Sequence, residues 1–282
     1  MPVLGYGIYQ IEPENCKQCV LDALAAGYRA FDTAQSYANE EYLGEALKES
    51  GIDRGEVFIT TKIRPHFYGG WTYQSVLDSL EKLQTDYIDL VLLHQPFGDV
   101  YRAWRDLEKL YEEGKVRAIG VSNFYADRMV DMAYFTKIRP MVNQIERHPL
   151  HQRQDILDWA KELDIVVMAW SPFGHGRGQL QENAVLNDIA AKYGKTAAQV
   201  ILRWDYQTGV ATIPKTTNAG RMAENIDIFD FALTDEELQT IAQLETGVSV
   251  FYSHQDPKIV ENYARSVLRN LKQLEEEQNA KT

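Results

Sequence analysis

The segment IDLVLLH, residues 88–94, is the part of the sequence that decides the fold. Its four consecutive apolar residues, 90–93, lack the alternation of a half-solvated strand, so both faces of this strand are expected to be covered. The strand ends on His94. In the helical pattern over 99–114, one apolar stripe contains Val100, Trp104, Leu107 and Tyr111. A buried strand followed by an amphipathic helix is typical of a parallel α/β fold.

The same strand-and-helix pattern recurs along the chain. Eight strands are predicted, at 3–8, 29–33, 57–62, 88–94, 116–122, 140–146, 165–171 and 210–215. We therefore predict a single α/β domain over 1–270, a (β/α)8 TIM barrel with extra loops at its C-terminal face, and a polar, helical C-terminal tail over 271–282. A doubly wound sheet is disfavoured, because LGYGIYQ (4–10) lacks the third glycine of a dinucleotide-binding fingerprint.

Composition narrows the class of protein. The chain has 282 residues, 45% of them hydrophobic, and a formal net charge of −12, which argues against nucleic acid or an anionic membrane as partner. It has no apolar run of membrane-spanning length and no signal-peptide pattern, so a cytoplasmic protein is expected. Cys16 and Cys19 form a CxxC pair, but they fall in a helical pattern without a second pair, so we interpret them as packing residues.

Three neighbouring predicted strands end in titratable groups, namely Asp32, Lys62 and His94, and Tyr37 follows Asp32 closely. In a parallel barrel the carboxyl ends of the strands form one face, so these side chains should meet there. A nearby ammonium lowers the pKa of a phenol, so Lys62 is expected to lower the pKa of Tyr37, while Asp32 balances the charge of Lys62. His94 could bind the oxygen that Tyr37 protonates. Since the pattern shows neither a nucleophile nor a metal cluster, the missing partner is a hydride from a cofactor.

Seven segments, in order, resemble the aldo-keto reductases, including their bacterial 2,5-diketo-D-gluconate reductase-like members. They are FDTAQSY (31–37), TTK (60–62), LLHQP (92–96), GVSNF (120–124), NQIERHP (143–149), AWSPFG (169–174) and IPKTTNAGRMAEN (213–225). The resemblance covers nearly the whole chain. It implies an oxidoreductase that reduces aldehydes or ketones with NADPH. In this reaction Tyr37 would be the general acid, Lys62 and Asp32 would adjust the pKa of Tyr37, and His94 would orient the substrate.

The resemblance also implies the cofactor contacts. The groups expected at the nicotinamide are Ser122, Asn123 and Gln144, with Trp170 stacked on the ring. The residues expected over the pyrophosphate are Ser171, Pro172, Phe173 and Gly174. Those expected at the 2′-phosphate and adenine are Lys215, Thr216, Arg221, Glu224 and Asn225. A dianionic phosphate favours charge-assisted donors, so the two cations in this set favour NADPH over NADH.

The expected substrate is a small carbonyl compound bound by a monomeric protein. Its candidate contacts are Tyr9, Arg64, Trp71, Gln95 and Phe251. Arg64 and Gln95 stand where many relatives carry tryptophan, which predicts a more polar pocket. Arg64 could receive a carboxylate or phosphate of the substrate, and an arginine turned into solvent is the alternative.

Two other functions are compatible with a barrel of this kind. Lys62 could act as the Schiff-base nucleophile of an aldolase, although a lysine kept charged by Asp32 is a poor nucleophile. Alternatively, the chain could be an NADPH-binding regulatory or sensing subunit with slow turnover.

Overall fold

The computed structural model describes residues 1–279 and confirms the predicted barrel. Eight parallel strands follow one another in chain order round a single sheet. They are β1 (Tyr6–Gly7), β2 (Ala30–Asp32), β3 (Phe58–Ile63), β4 (Leu90–Leu93), β5 (Ile119–Ser122), β6 (Val142–Glu146), β7 (Val166–Trp170) and β8 (Ala211–Thr212). The barrel closes where the first strand meets the last, since the amide of Gly5 donates to the carbonyl of Thr212 at 2.9 Å.

Helices connect the strands and cover the outside of the barrel. They are α1 (Pro13–Ala25), α2 (Glu40–Ser50), α3 (Thr72–Leu83), α4 (Val100–Glu112), α5 (Ala126–Phe135), α6 (Gln154–Glu162), α7 (Ala184–Tyr193), α8 (Ala197–Gln207), α9 (Ala219–Ile226), α10 (Asp235–Ala242) and α11 (Pro257–Asn279). The predicted polar tail, 271–282, thus continues α11 as far as residue 279, and its last three residues lie outside the described part of the chain. Over residues 1–279, no helix combines the length and the hydrophobicity needed to cross a membrane.

Strand β4 shows why the sequence lacks alternation. Leu90 and Leu92 belong to one buried cluster with Val142 and Met168 of β6 and β7, which lies in the interior of the barrel. Their neighbours on the other face belong to the large core cluster between the strands and the surrounding helices. Both faces of the strand are buried, so every position in it is apolar.

Local features of the helices agree with the sequence pattern. Thr196 and Gln199 form a capping box at the start of α8, and Thr234 and Glu237 form another at the start of α10, with both reciprocal hydrogen bonds present. The cysteines of α1, Cys16 and Cys19, are free and buried in the core, which confirms their interpretation as packing residues.

Candidate active site

The four candidate catalytic residues meet at the carboxyl ends of β2, β3 and β4. Asp32 is the last residue of β2, Lys62 lies in β3, His94 directly follows β4, and Tyr37 ends a 3₁₀ turn at Gln35–Tyr37. The Nζ atom of Lys62 forms an ion pair with Asp32, donates to the carbonyl of Thr33 at 2.9 Å, and lies 3.4 Å from the hydroxyl of Tyr37. The sequence prediction that these groups share one face of the barrel is thus matched by the geometry.

A buried asparagine holds the turn that carries Tyr37. Asn39 accepts a hydrogen bond from the hydroxyl of Thr33 at 2.8 Å and donates to the carbonyl of Ile8 at 2.8 Å. The turn ends at Ala38, whose φ of 55° reverses the chain into α2. These contacts hold the turn so that the phenol of Tyr37 lies near Lys62. None of them is made by one of the four candidate catalytic side chains.

The pKa of Tyr37 shifts in the direction opposite to the sequence prediction. Burial raises the pKa of the phenol well above its usual value, and the charges of Asp32 and Tyr9 add to the rise. The expected lowering by Lys62 is not found, because Asp32 already balances the ammonium charge and the enclosed site solvates a phenolate poorly. Burial also lowers the pKa of Lys62, which Asp32 opposes. In the resting site, therefore, the phenol keeps its proton.

His94 is a neutral imidazole in this site. Burial lowers its pKa to about 3, and the charge of Lys62 contributes to the same shift. Its Nδ1 atom lies 3.4 Å from the hydroxyl of Ser36, and its ring packs edge-on against Tyr37 with centroids 5.8 Å apart. A neutral imidazole at this place can hydrogen-bond a ligand oxygen without a charge of its own.

The residues expected at the nicotinamide come from the ends of β5, β6 and β7 and line the same cavity. Gln144 donates to Asp32 Oδ2 at 2.7 Å, which connects this group to the catalytic candidates. Ser122 donates to the carbonyl of Gln144 at 2.9 Å. The indole of Trp170 donates to Asn123 Oδ1 at 2.9 Å, so the plane of the tryptophan is fixed at the cavity wall.

The loop after Trp170 has the features of an anion-binding segment. Ser171 has a φ of 55° and a buried hydroxyl without a hydrogen-bond partner among the described residues. Pro172, Phe173 and Lys215 line the cavity beside it. Since a buried, unpaired hydroxyl is costly unless a ligand satisfies it, these residues fit a bound phosphate-containing cofactor.

The residues expected at the 2′-phosphate and adenine lie further out. Lys215 and Arg221 are both exposed, and neither forms an ion pair with any described residue. Thr216 is fixed through its carbonyl, which accepts a hydrogen bond from Tyr6. Glu224 accepts from Thr196 at 2.9 Å, and Asn225 is buried in α9. Of these five, the structure brings only Lys215 to the cavity.

The structure brings three of the five candidate substrate residues to the cavity, namely Tyr9, Gln95 and Phe251. Arg64 and Trp71 do not line it, and their roles as substrate contacts stay predictions. The guanidinium of Arg64 lies over the ring of Phe67 at 5.4 Å instead. The helix α11 packs on the adjacent turn at Pro65–Phe67, where His66 lies 3.2 Å from the hydroxyl of Ser266.

Further lining residues come from the C-terminal segment and from the loop after β7. Four of them are His175, Tyr252, His254 and Tyr263. No sequence pattern gave a reason to place His175, His254 or Tyr263 at the cavity. The hydroxyls of Tyr252 and Tyr263 lie 3.0 Å apart. No local pattern could have identified Tyr263, because it is one polar-aromatic residue on a long amphipathic helix. The cavity that all these groups enclose has a volume of about 340 Å³.

A carboxylate at the end of β6 attaches the C-terminal segment to the barrel. Glu146 accepts from the hydroxyl of Ser249 at 2.5 Å and from the amide of Val250 at 2.9 Å, and it lies 3.1 Å from His148. Burial alone would raise the pKa of Glu146, but these hydrogen bonds outweigh it and hold the pKa below its usual value. The next residue, Phe251, packs against Trp170 with ring centroids 4.9 Å apart.

Comparisons with known proteins agree with the site. The sequence model described as the Aldo/keto reductase family matches residues 3–246. Glyoxal reductase of Bacillus subtilis is 47% identical over 247 residues, which cover 86% of this chain and 89% of that protein. An aldo-keto reductase from a Medee basin deep-sea metagenome, MGS-M4, has a TM-score of 0.89 at 38% identity, covering 91% of this chain and 96% of that one. A Bombyx mori aldo-keto reductase in complex with NADP has a TM-score of 0.84 at 34% identity, covering 89% and 92%.

Proposed function

Because the chain belongs to the aldo/keto reductase family, we propose that it reduces small aldehydes and ketones to alcohols with NADPH, with Tyr37 as the general acid. The observation that carries this proposal is the contact chain from Asp32 through Lys62 to Tyr37, which ends in the same cavity as His94 and Trp170. The names of the glyoxal reductase and of the NADP complex support the reaction class and the cofactor.

Bound NADPH would supply a hydride to the carbonyl carbon of the substrate. The carbonyl oxygen then gains negative charge and takes the proton of the Tyr37 hydroxyl, which completes the alcohol. Because the pKa of Tyr37 is raised, its phenol is protonated at neutral pH and carries the proton that this step consumes. Lys62, at 3.4 Å, stabilises the phenolate only as it forms, and such an interaction lowers the barrier rather than the ground state.

The remaining groups would bind and orient the substrate and the cofactor. Neutral His94 would donate a hydrogen bond to the carbonyl oxygen without competing for the proton. Lys215 and Arg221, exposed and without ion-pair partners in the described part of the chain, would bind the phosphate that distinguishes NADPH from NADH. The aldolase alternative is disfavoured because Lys62 is only 1% exposed and its Nζ is already bonded to Asp32 and Thr33.

The test is NADPH oxidation with small aldehydes by the parent chain and by Tyr37→Phe. We expect kcat to fall at least about 100-fold in the variant, because a general acid typically contributes 10²–10⁴, while the Kd for NADPH stays unchanged. Tyr9→Phe is the matched control: it removes another hydroxyl from the same cavity, on a ring 4.8 Å from that of Tyr37, and should retain most of kcat.

Two results would contradict the proposal. If Tyr37→Phe keeps half of the parental kcat, Tyr37 is not the acid. If the parent binds NADPH but reduces no carbonyl compound across a broad panel, the chain is a cofactor-binding regulatory or sensing protein rather than a reductase.

A further inference from the structure

The C-terminal segment contributes a distinct part of the cavity wall, formed by Phe251, Tyr252, His254 and Tyr263, which we call the C-terminal wall. Most of its surface is aromatic, but it also carries polar atoms. The hydroxyls of Tyr252 and Tyr263 share one hydrogen bond at 3.0 Å. His254 differs from them, because its buried Nε2 atom has no hydrogen-bond partner among the described residues.

The ring of His254 is held in place on several sides. It stacks on Phe97 with centroids 5.9 Å apart at 25°, and it contacts Tyr125 and Tyr252 at 5.9 and 5.0 Å. Its backbone amide donates to the hydroxyl of Tyr125 at 3.2 Å. An immobilised ring with an unpaired, buried nitrogen loses free energy unless a ligand supplies the missing hydrogen bond.

The charges round the cavity limit what that ligand can be. Among the described lining residues, Lys215 is the one lysine or arginine and Asp32 the one acid, and Asp32 is already paired with Lys62 and Gln144. Burial lowers the pKa of His254 to about 4, so the imidazole is neutral at pH 7. The C-terminal wall therefore offers hydrogen bonds but no charge to a substrate.

We propose that His254 is a specificity-determining residue, which binds through Nε2 a second, uncharged oxygen of the substrate, close to the carbonyl group that is reduced. The inference rests on the proposed reductase function and narrows its substrate class. It favours short hydroxyaldehydes and dicarbonyls over alkyl aldehydes of the same size, which have no second oxygen, and over oxo acids, which carry a charge.

Glycolaldehyde and propanal test this directly, since they differ by a hydroxyl in place of a methyl group. The measurement is the ratio of their kcat/KM values with NADPH, after each kcat/KM is corrected for the hydrated, unreactive fraction of that aldehyde. We expect the parent to prefer glycolaldehyde, and His254→Phe to reduce the ratio by roughly fivefold, as the loss of one neutral hydrogen bond implies. A merely structural role of His254 would lower both values together and leave the ratio unchanged.

His66→Phe is the matched control. His66 also has an unpartnered buried ring nitrogen, in this case Nδ1, and contacts α11 near Ser266, but it does not line the cavity. Its substitution should leave the substrate ratio unchanged. His254→Asn, which keeps an amide donor and acceptor, should retain more of the preference than His254→Phe.

The results distinguish a failure of the role proposed for His254 from a failure of the proposed reductase function. An unchanged ratio in a folded His254→Phe variant overturns the inference, as does a parent that reduces propanal or glyoxylate as well as glycolaldehyde. Where the substituted proteins do not fold, the parental ratio decides, and a preference below about twofold overturns the inference. A parent that reduces no aldehyde at all overturns the proposed function instead.

Discussion

Lys62 is only 1% exposed, so its charge depends on the few groups that touch it. Asp32 supplies the negative partner and Thr33 a carbonyl, which leaves one direction of the ammonium free to face Tyr37. A buried ion pair contributes little net stability, but removal of one member leaves the other uncompensated. A single substitution at Asp32 or Lys62 therefore changes both the stability of the fold and the activity, and cannot separate the two effects.

A double substitution can separate the two effects. Lys62→Met should lower the free energy of unfolding by about 3 kcal/mol, since Asp32 is left buried without its cation, and should lower kcat by about 100-fold or more, since the phenolate loses its stabilising charge. Asp32→Asn combined with Lys62→Met should recover most of the stability but none of the activity. Urea unfolding and kcat are measured on all three proteins, and recovery of kcat in the double variant would contradict the role of Lys62.

At the scale of elements, one attachment of the segment after α10 to the barrel is at the end of β6. Ser249 and the amide of Val250 both bond to Glu146, and this places Phe251 on Trp170. Other hydrogen bonds of the segment to the body of the protein involve loop and helix-end residues, among them Leu150, Arg177 and Tyr125. The bonds to Glu146 are made by the two residues that directly precede Phe251, so the position of this side chain should respond to their loss.

Ser249→Ala tests this attachment. We expect the KM for aldehydes to rise about two- to fivefold, because loss of one hydrogen bond to a carboxylate loosens the C-terminal wall. The value of kcat should stay within roughly a factor of two of the parental value, because the proton-transfer groups are unchanged. Ser253→Ala is the control, since the Ser253 hydroxyl lies in an exposed turn and, among the described residues, accepts only from the amide of Gln255, at 3.2 Å. Equal effects of the two substitutions would argue against Glu146 as the anchor.

Elements and their ends could be predicted from the sequence where local patterns decide them. The apolar run at 90–93 predicted β4, and the rule that parallel strands share one carboxyl edge brought Asp32, Lys62 and His94 together before any coordinates were known. These inferences need only the order of residues along each strand and of strands along the chain.

The remaining features depend on contacts between distant parts of the chain. Arg64 lies over Phe67 beside a turn on which α11 packs, where the contacting residues His66 and Ser266 are 200 apart in sequence. The pKa of Tyr37 rises rather than falls because burial outweighs the ammonium 3.4 Å away, and burial depends on the assembled fold. His254 could not be assigned to the cavity for the same reason.

For the molecule as a whole, the net charge of −12 opposes the binding of an anionic cofactor. Lys215 and Arg221, the two cations proposed to bind the phosphate of NADPH, are exposed within this negative background. Local cations must therefore supply the affinity for a phosphate, and solvent-exposed charges of this kind are screened by salt.

Arg221→Met tests their role. We expect the Kd for NADPH to rise about tenfold, as for one lost charge-assisted hydrogen bond, while the Kd for NADH changes little. The parental Kd for NADPH should also rise with ionic strength more steeply than the Kd for NADH. Lys109→Met, which removes an exposed cation from α4, is the control. Equal losses of NADPH and NADH affinity in Arg221→Met would show that the arginine does not recognise the phosphate.

The position of the C-terminal wall in the chain has a consequence for synthesis. The proton-transfer residues all precede residue 95, and the last barrel strand ends at Thr212, whereas the wall begins at Phe251. Because translation proceeds from the amino terminus, the ribosome produces every group needed for the reaction before any group of the wall that selects the substrate. Reactivity is thus encoded upstream of selectivity, so a stop between residues 213 and 250 would remove the whole C-terminal wall and none of the four proton-transfer residues.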